Sequence, residues 1–87
     1  MTIYYHPRFQ RCYKRLDPQI RLTAEKRIAL FRKDALDQRL GTHRLHGKLK
    51  SLWSFSIDSR YRVLFEFINA SQSEVIFLDI GNHSLYR

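Results

Sequence analysis

Between Trp53 and Phe67 the chain alternates apolar and polar positions twice around a polar break: WSFSI, then DSR, then YRVLFEF. Alternation with a period of two marks a half-buried strand, because successive side chains point to opposite sides of the pleat. Two such runs predict an antiparallel hairpin. A three-residue turn at Asp58, Ser59 and Arg60 pairs Ile57 with Tyr61 and Ser56 with Arg62. One face then carries Trp53, Phe55, Ile57, Tyr61, Val63, Phe65 and Phe67, and the other Ser54, Ser56, Arg62, Leu64 and Glu66. A two-residue turn at Asp58 and Ser59 would put Arg60 and Arg62 beside Trp53 and Phe55, since a slip of one residue exchanges the faces of a strand. The longer turn is therefore preferred.

The period changes upstream. Thr2 to Tyr5 reads as a short strand, and Pro7 suits the first turn of a helix, where its missing N–H costs nothing. Phe9, Cys12, Tyr13 and Leu16 follow at helical spacing, with Arg8, Arg11, Lys14 and Arg15 off the stripe. Asp17 and Pro18 form an N-cap and N1 pair for a second helix from Gln19 to about Lys33, with Ile20, Ala24, Ile28 and Phe31 on one side. Asp34 to Leu40 extends that helix or adds a turn, and Gly41 is its stop. Thr42 to Ser51 reads as a basic loop. After the hairpin, Asn69 to Ser73 is turn-like, and Glu74 to Ile80 is a last strand whose expected core face is Ile76, Leu78 and Ile80.

This order, β-α-α-β-β-β, predicts an α+β two-layer fold: a mostly antiparallel sheet with two helices packed on one face. The other face, carrying Ser54, Ser56, Arg62 and Asp79, is expected to be open. Eighty-seven residues are expected to form a single domain, 1–87. The sequence has no apolar run of about 18 residues and no charged-then-apolar leader, so no membrane partner is expected and the cytoplasm is the expected location. The single Cys12 has no partner for an internal disulfide, in keeping with a reducing compartment.

Charge changes the picture most. The net charge is +8, which points to a polyanionic partner. It is also uneven: residues 1–50 hold 13 Lys/Arg against 4 Asp/Glu, whereas residues 51–87 hold 3 against 4. The basic surface belongs to the helical half.

Three local motifs, in this order and spacing, resemble the RelE/ParE superfamily of bacterial type II toxin–antitoxin toxins, and within it the YafQ-like and RelE-like branch. They are His43-Arg44-Leu45-His46-Gly47, then Tyr61-Arg62-Val63-Leu64-Phe65, and Gly81-Asn82-His83-Ser84 with Tyr86. The order of elements matches over nearly the whole chain. The resemblance implies an mRNA endoribonuclease, generally acting in the ribosomal A site and held inactive by a cognate antitoxin protein, with mRNA and the ribosome as further partners and no cofactor. Residue by residue, it assigns the motif arginine to Arg62, the histidine after the last strand to His83, the near-terminal aromatic to Tyr86 and the loop histidine to His43. The chain also departs from the pattern. RelE-like members have strand lysines where Ser54 and Ser56 stand, and YafQ-like members have a further histidine near Ser56. Gyrase-poisoning members share the fold without the nuclease site.

The chemistry of RNA cleavage by its own 2′-OH needs a base, cations for the phosphorane and an acid for the leaving 5′-oxygen. His83 suits acid or base work, since an imidazole titrates near ~6.5. Arg62 suits a phosphate clamp because its planar fork grips two oxygens. Tyr86 can stack on a base or donate a hydrogen bond. Lys48, Lys50, Arg60 and Arg44 would bind the RNA backbone. Ordinary roles compete with each of these: Arg62 as an edge-strand arginine paired to Glu66 or Asp79, His83 as an exposed or capping residue, Tyr86 as a C-terminal anchor, His43 bonded to a nearby carbonyl. His6 and His46 are expected to be structural or exposed. The helix cations are a solvated face, or dock onto rRNA or an acidic antitoxin segment. His43 and His46 lack further ligands, so no metal site is expected. A gyrase inhibitor, an inactive antitoxin-binding homologue and a plain basic nucleic-acid-binding module remain as alternatives.

Overall fold

A computed structural model of the chain describes residues 1–47 and 51–82. Its hairpin turns as the alternation predicts. The Asp58 carboxylate accepts the backbone N–H of Arg60 at 2.8 Å and of Tyr61 at 2.7 Å, an aspartate turn that satisfies two donors locally. The N–H of Ile57 donates to Tyr61 O at 2.8 Å, and Ser56 lies opposite Arg62. Strand β3 (Trp53–Ser56) thus enters the turn and β4 (Arg62–Phe67) leaves it.

The helices begin where the caps predict. Helix α1 (Pro7–Lys14) is capped by His6, whose Nδ1 accepts the N–H of Arg8 at 3.0 Å. The cap gives His6 a structural role. Helix α2 (Pro18–Lys33) is capped by Asp17, which accepts the N–H of Gln19 at 2.9 Å. Helix α2 stops at Lys33 because Asp34 is extended, at φ −158°. A separate 3-10 turn over Gln38–Leu40 follows, closed by Gly41 in the left-handed region.

Strand β1 (Thr2–Tyr5) lies parallel to the last strand, β5 (Glu74–Gly81), and β5 lies antiparallel to β4. Residues expected to be loop supply one more strand: β2 (His43–Arg44) pairs antiparallel with β3. The sheet therefore has five strands in the order β1-β5-β4-β3-β2, and β4 is interior. Two residues carry no readable alternation, so β2 leaves no period-two signal.

The core sits between the helices and one sheet face. Phe31 of α2 meets Phe55, Phe65 and Phe77 with ring centroids 4.7, 5.0 and 5.3 Å away, so one helical residue touches three adjacent strands. Phe9 of α1 meets Phe77 at 5.4 Å. Cys12, Tyr13 and Leu16 pack at the margin of the same cluster.

On β5 the expected core face is wrong in phase. Val75 and Phe77 are buried opposite Phe67 and Phe65, while Ile76 and Leu78 are half-buried on the other side. A β-bulge at Leu78, where the register with β4 shifts between Leu64 and Phe65, then resets the phase so that Ile80 is buried opposite Val63. The extra residue of a bulge breaks the alternation that the sequence pattern assumes.

Two outcomes follow. Phe77→Ala should cost about 3–5 kcal/mol, as for buried aromatics generally, and Leu78→Ala well under half of that, measured by chemical denaturation; equal costs would mean that β5 has the other phase. The Tyr13 hydroxyl, pushed up to about 12 by burial and then by its bond to Glu25 at 2.6 Å, stays protonated in the folded chain above the pH at which it ionises unfolded. Its stabilisation is full below pH ~10 and lost as the pH rises through about 12. The denaturation midpoint of Tyr13→Phe should therefore fall less than that of the wild type across this window.

Candidate functional site

On the face turned away from α1 and α2, three strands form a row: Gly81 on β5, Arg62 on β4 and Ser56 on β3. The Arg62 Nη1 donates to Ser56 Oγ at 2.7 Å. Neither Glu66 nor Asp79 pairs with Arg62 among the described residues, and β4 is not an edge, so the edge-strand reading of Arg62 fails. Among the described residues this bond engages one nitrogen of the guanidinium, and its other N–H groups suit an anion.

Beside Ser56 lies Gly41. At φ +60°, it is strained for any residue with a side chain, and a Cβ there would stand 3.7 Å from Ser56 Oγ. The carbonyl of Gly41 lies 3.0 Å from His43 Nδ1. A carbonyl only accepts, so Nδ1 carries the hydrogen and the neutral ring keeps its lone pair at Nε2. The bond to a nearby carbonyl, set against a chemical role in the sequence reading, fixes the tautomer that a base needs. His43 pairs with Ser54 across β2 and β3. Ordinary strand spacings put its Cα roughly 12 Å from that of Arg62, two strands over and two residues along.

The open face expected from the sequence is partly closed. Ser54 is fully buried, because a serine flanked by His43 and Leu64 is too short to reach past them. Asp79, paired with Leu64, is buried as well, and its carboxylate reaches helix α1: its Oδ2 accepts Arg8 Nε at 2.8 Å and its Oδ1 accepts the N–H of Ile80 at 2.9 Å. Burial first, and then a bond to the Asp79 carboxylate, push the Cys12 thiol up.

Of the other candidates, Arg60 is exposed in the turn two residues from Arg62. Arg44 pairs with Trp53, which puts it on the opposite face from His43 and Arg62. Exposed His46 adds nothing to the row. Lys48, Lys50, His83 and Tyr86 lie outside the described residues. Among the described residues, no three His, Cys, Asp or Glu come together to hold a metal. Ser56 was missed as a functional residue because it counted only as a lysine that was absent, although the expected register already put it across from Arg62.

The helical side has a different character. A groove of about 480 Å³ between α1 and α2 is lined by Tyr5, Phe9, Tyr13, Lys14 and Arg32 among others. A second, of about 430 Å³, is lined by Lys26, Arg27, Lys33 and Arg39 with Ala29 and Leu30. Neither groove includes the Arg62 row.

No family model and no curated protein matches the chain. Solved structures do. A YoeB/ParE toxin from Agrobacterium tumefaciens superposes with a TM-score of 0.78 at 15% identity, covering 95% of this chain and 99% of that one. YafQ from E. coli strain BL21(DE3) gives 0.73 at 13% identity over 97% and 94%. The archaeal RelE–RelB complex from Pyrococcus horikoshii OT3 gives 0.73 at 12% identity over 93% and 92%. At these identities the likeness is one of fold, and the fold is that of the RelE/ParE toxins.

The tautomer of His43 is directly measurable. Nitrogen-15 NMR at a pH where the ring is neutral should find the proton on Nδ1; a proton on Nε2 would break the bond to Gly41 O and remove the base.

Proposed function

We propose that this chain, built on the fold of the RelE/ParE toxins, is the toxin of a type II toxin–antitoxin pair and cuts messenger RNA, at the ribosome, through attack of the 2′-OH on the adjacent phosphate. The observation that carries the reading is Arg62, held by Ser56 on the sheet face away from the helices. Its other N–H groups, without a partner among the described residues, suit a phosphorane, whose negative charge grows in the transition state.

In this mechanism a base takes the 2′ proton, the 2′-oxygen bonds to phosphorus, and the 5′-oxygen leaves with a proton from an acid. His43, with Nε2 as its basic nitrogen, serves as one of the two groups. His83, two residues beyond the Gly81 that pairs with Arg62, serves as the other. Tyr86 stacks on a base of the substrate, and Lys48, Lys50 and Arg60 hold its backbone. Arg44 faces the other way, which supports a role in docking more than in the cut. The proton transfers and the charge stabilisation use protein groups alone.

An antitoxin is the second partner. One of the structural neighbours is a RelE–RelB complex, and a chain of net +8 suits an acidic or amphipathic segment. Among the described residues, no helix is long and apolar enough to cross a membrane, and a substrate bound to ribosomes places the activity in the cytoplasm.

A second reading, inhibition of DNA gyrase or antitoxin binding without catalysis, is favoured by one observation: Ser54 and Ser56 stand where strand lysines occur in RelE-like members, and Ser54 is fully buried. Purified chain with ribosome-bound mRNA separates the two. Arg62→Ala should lower cutting by about 10²–10³-fold and His83→Ala by about 10²–10⁴-fold, both variants still folding and binding the antitoxin. Wild-type cutting by either would refute its role. Inhibited supercoiling with RNA intact would favour gyrase.

A further inference from the structure

Among the described residues, the one ionisable side chain that is buried takes no part in the mechanism above: Asp79, 6% exposed. A buried carboxylate is not what a stable core needs, since apolar residues of similar volume do as well or better. Its use must be sought in what it holds.

Strand β1 covers β5 only from Glu74 to Phe77. The last bond on that side runs from the N–H of His6 to Phe77 O at 2.9 Å, after which the chain turns into α1. Among the described residues, the final four of β5, beyond Phe77, therefore lack a strand neighbour on the β1 side, in a segment already loosened by the bulge at Leu78. That stretch ends at Gly81, the residue paired with Arg62. What grips it from the β1 side is helix α1, through Arg8 Nε on Asp79 Oδ2 at 2.8 Å, while Asp79 Oδ1 takes the N–H of Ile80 and ties the carboxylate to its own backbone.

We propose that Asp79 and Arg8 are a positioning pair: their ion pair lets helix α1 set the position of Gly81 and Asn82 relative to Arg62. The geometry of the cutting site is thereby fixed from helix α1. The link to cutting rests on the function proposed above. Arg8 is 64% exposed in its side chain, so the brace ends on the solvent side of α1, where a partner seated on the helix could strengthen or release it.

The test uses Asp79→Asn, which keeps an oxygen for the Ile80 N–H but removes the charge, and Arg8→Gln, which covers the case where Asp79→Asn fails to fold. The double variant and Arg8→Lys complete the set. Backbone amide exchange is read at Ile80, Gly81 and Asn82 against Phe55 and Phe65, and cleavage of ribosome-bound mRNA is read as kcat and KM separately. The expected result is exchange faster by about tenfold at residues 80–82 alone, and kcat lower by about 10–10²-fold, the scale of a misplacement near 1 Å, with KM unchanged. The double variant should lose no more than the single ones, and Arg8→Lys should recover most of the rate. Exchange that accelerates equally at Phe55 and Phe65, with kcat falling only as the folded fraction falls, would make the pair a plain stability element and overturn the proposal. Should the wild-type chain cut no RNA, the function proposed above falls. Exchange then decides the pair by itself: local acceleration upholds it and uniform acceleration overturns it.

Discussion

The two bonds that the Asp58 carboxylate accepts from Arg60 and Tyr61 hold the hairpin at a three-residue turn, and the length of that turn decides which side of the sheet every residue of β4 faces. Bonds to a charged acceptor contribute about 1.5–3 kcal/mol each. The competing two-residue turn would forfeit them and also drive the guanidiniums of Arg60 and Arg62 into the space that Phe31, Phe55 and Phe65 fill. Desolvating an unpaired charge costs more than any turn could return. The aromatic face therefore chooses the register, and Asp58 makes it inexpensive. The same register places Ser56 across from Arg62, so the candidate site is a by-product of packing the core correctly.

From β4 the constraint passes to β5, where it holds for half the strand and then changes. Val75 and Phe77 follow the phase set by Phe67 and Phe65, and the bulge at Leu78 brings Ile80 onto the core side one residue out of step. The same bulge leaves Asp79 paired with Leu64, at the stretch of β5 that β1 does not cover, and its carboxylate reaches Arg8 of α1 there. A bulge is a local cost in hydrogen bonding. Here it coincides with the point where β1 ends and the strand enters the candidate site.

This explains what could be read from the sequence and what could not. The hairpin, the Asp17-Pro18 helix start and the Phe9-to-Leu16 stripe were legible because each depends on residues close in sequence. Strand β2 was not, because two residues have no period and pair only when β3 is beside them. Ile76 and Leu78 were placed on the wrong side because alternation cannot announce a bulge. Within the site, Arg62 was legible as a cation on the polar face. Ser56 as its partner was implied by the register but hidden by comparison with lysines the chain lacks. The orientation of His43 toward Gly41 O depends on a left-handed glycine two residues earlier, and this has no sequence signal beyond the glycine itself.

The division of charge between the two halves of the chain has a physical consequence for any polyanion the chain meets. Cations outnumber acids by 13 to 4 in residues 1–50 and are outnumbered 4 to 3 in residues 51–87, so the N-terminal half supplies the long-range field and the C-terminal half does not. At physiological salt a surface charge is screened over about 8 Å, which is well short of the 25–34 Å extents of the molecule. Attraction to a polyanion would thus be a property of the N-terminal half, whereas Arg62 would act only at contact and through directed N–H groups. A sheet face crowded with lysines would bind phosphate wherever it met it. One arginine, bonded to a serine, would discriminate by geometry instead; under the functions proposed above it depends on the N-terminal half for capturing the polyanion and, through Arg8 and Asp79, for the placement of the strand beside it.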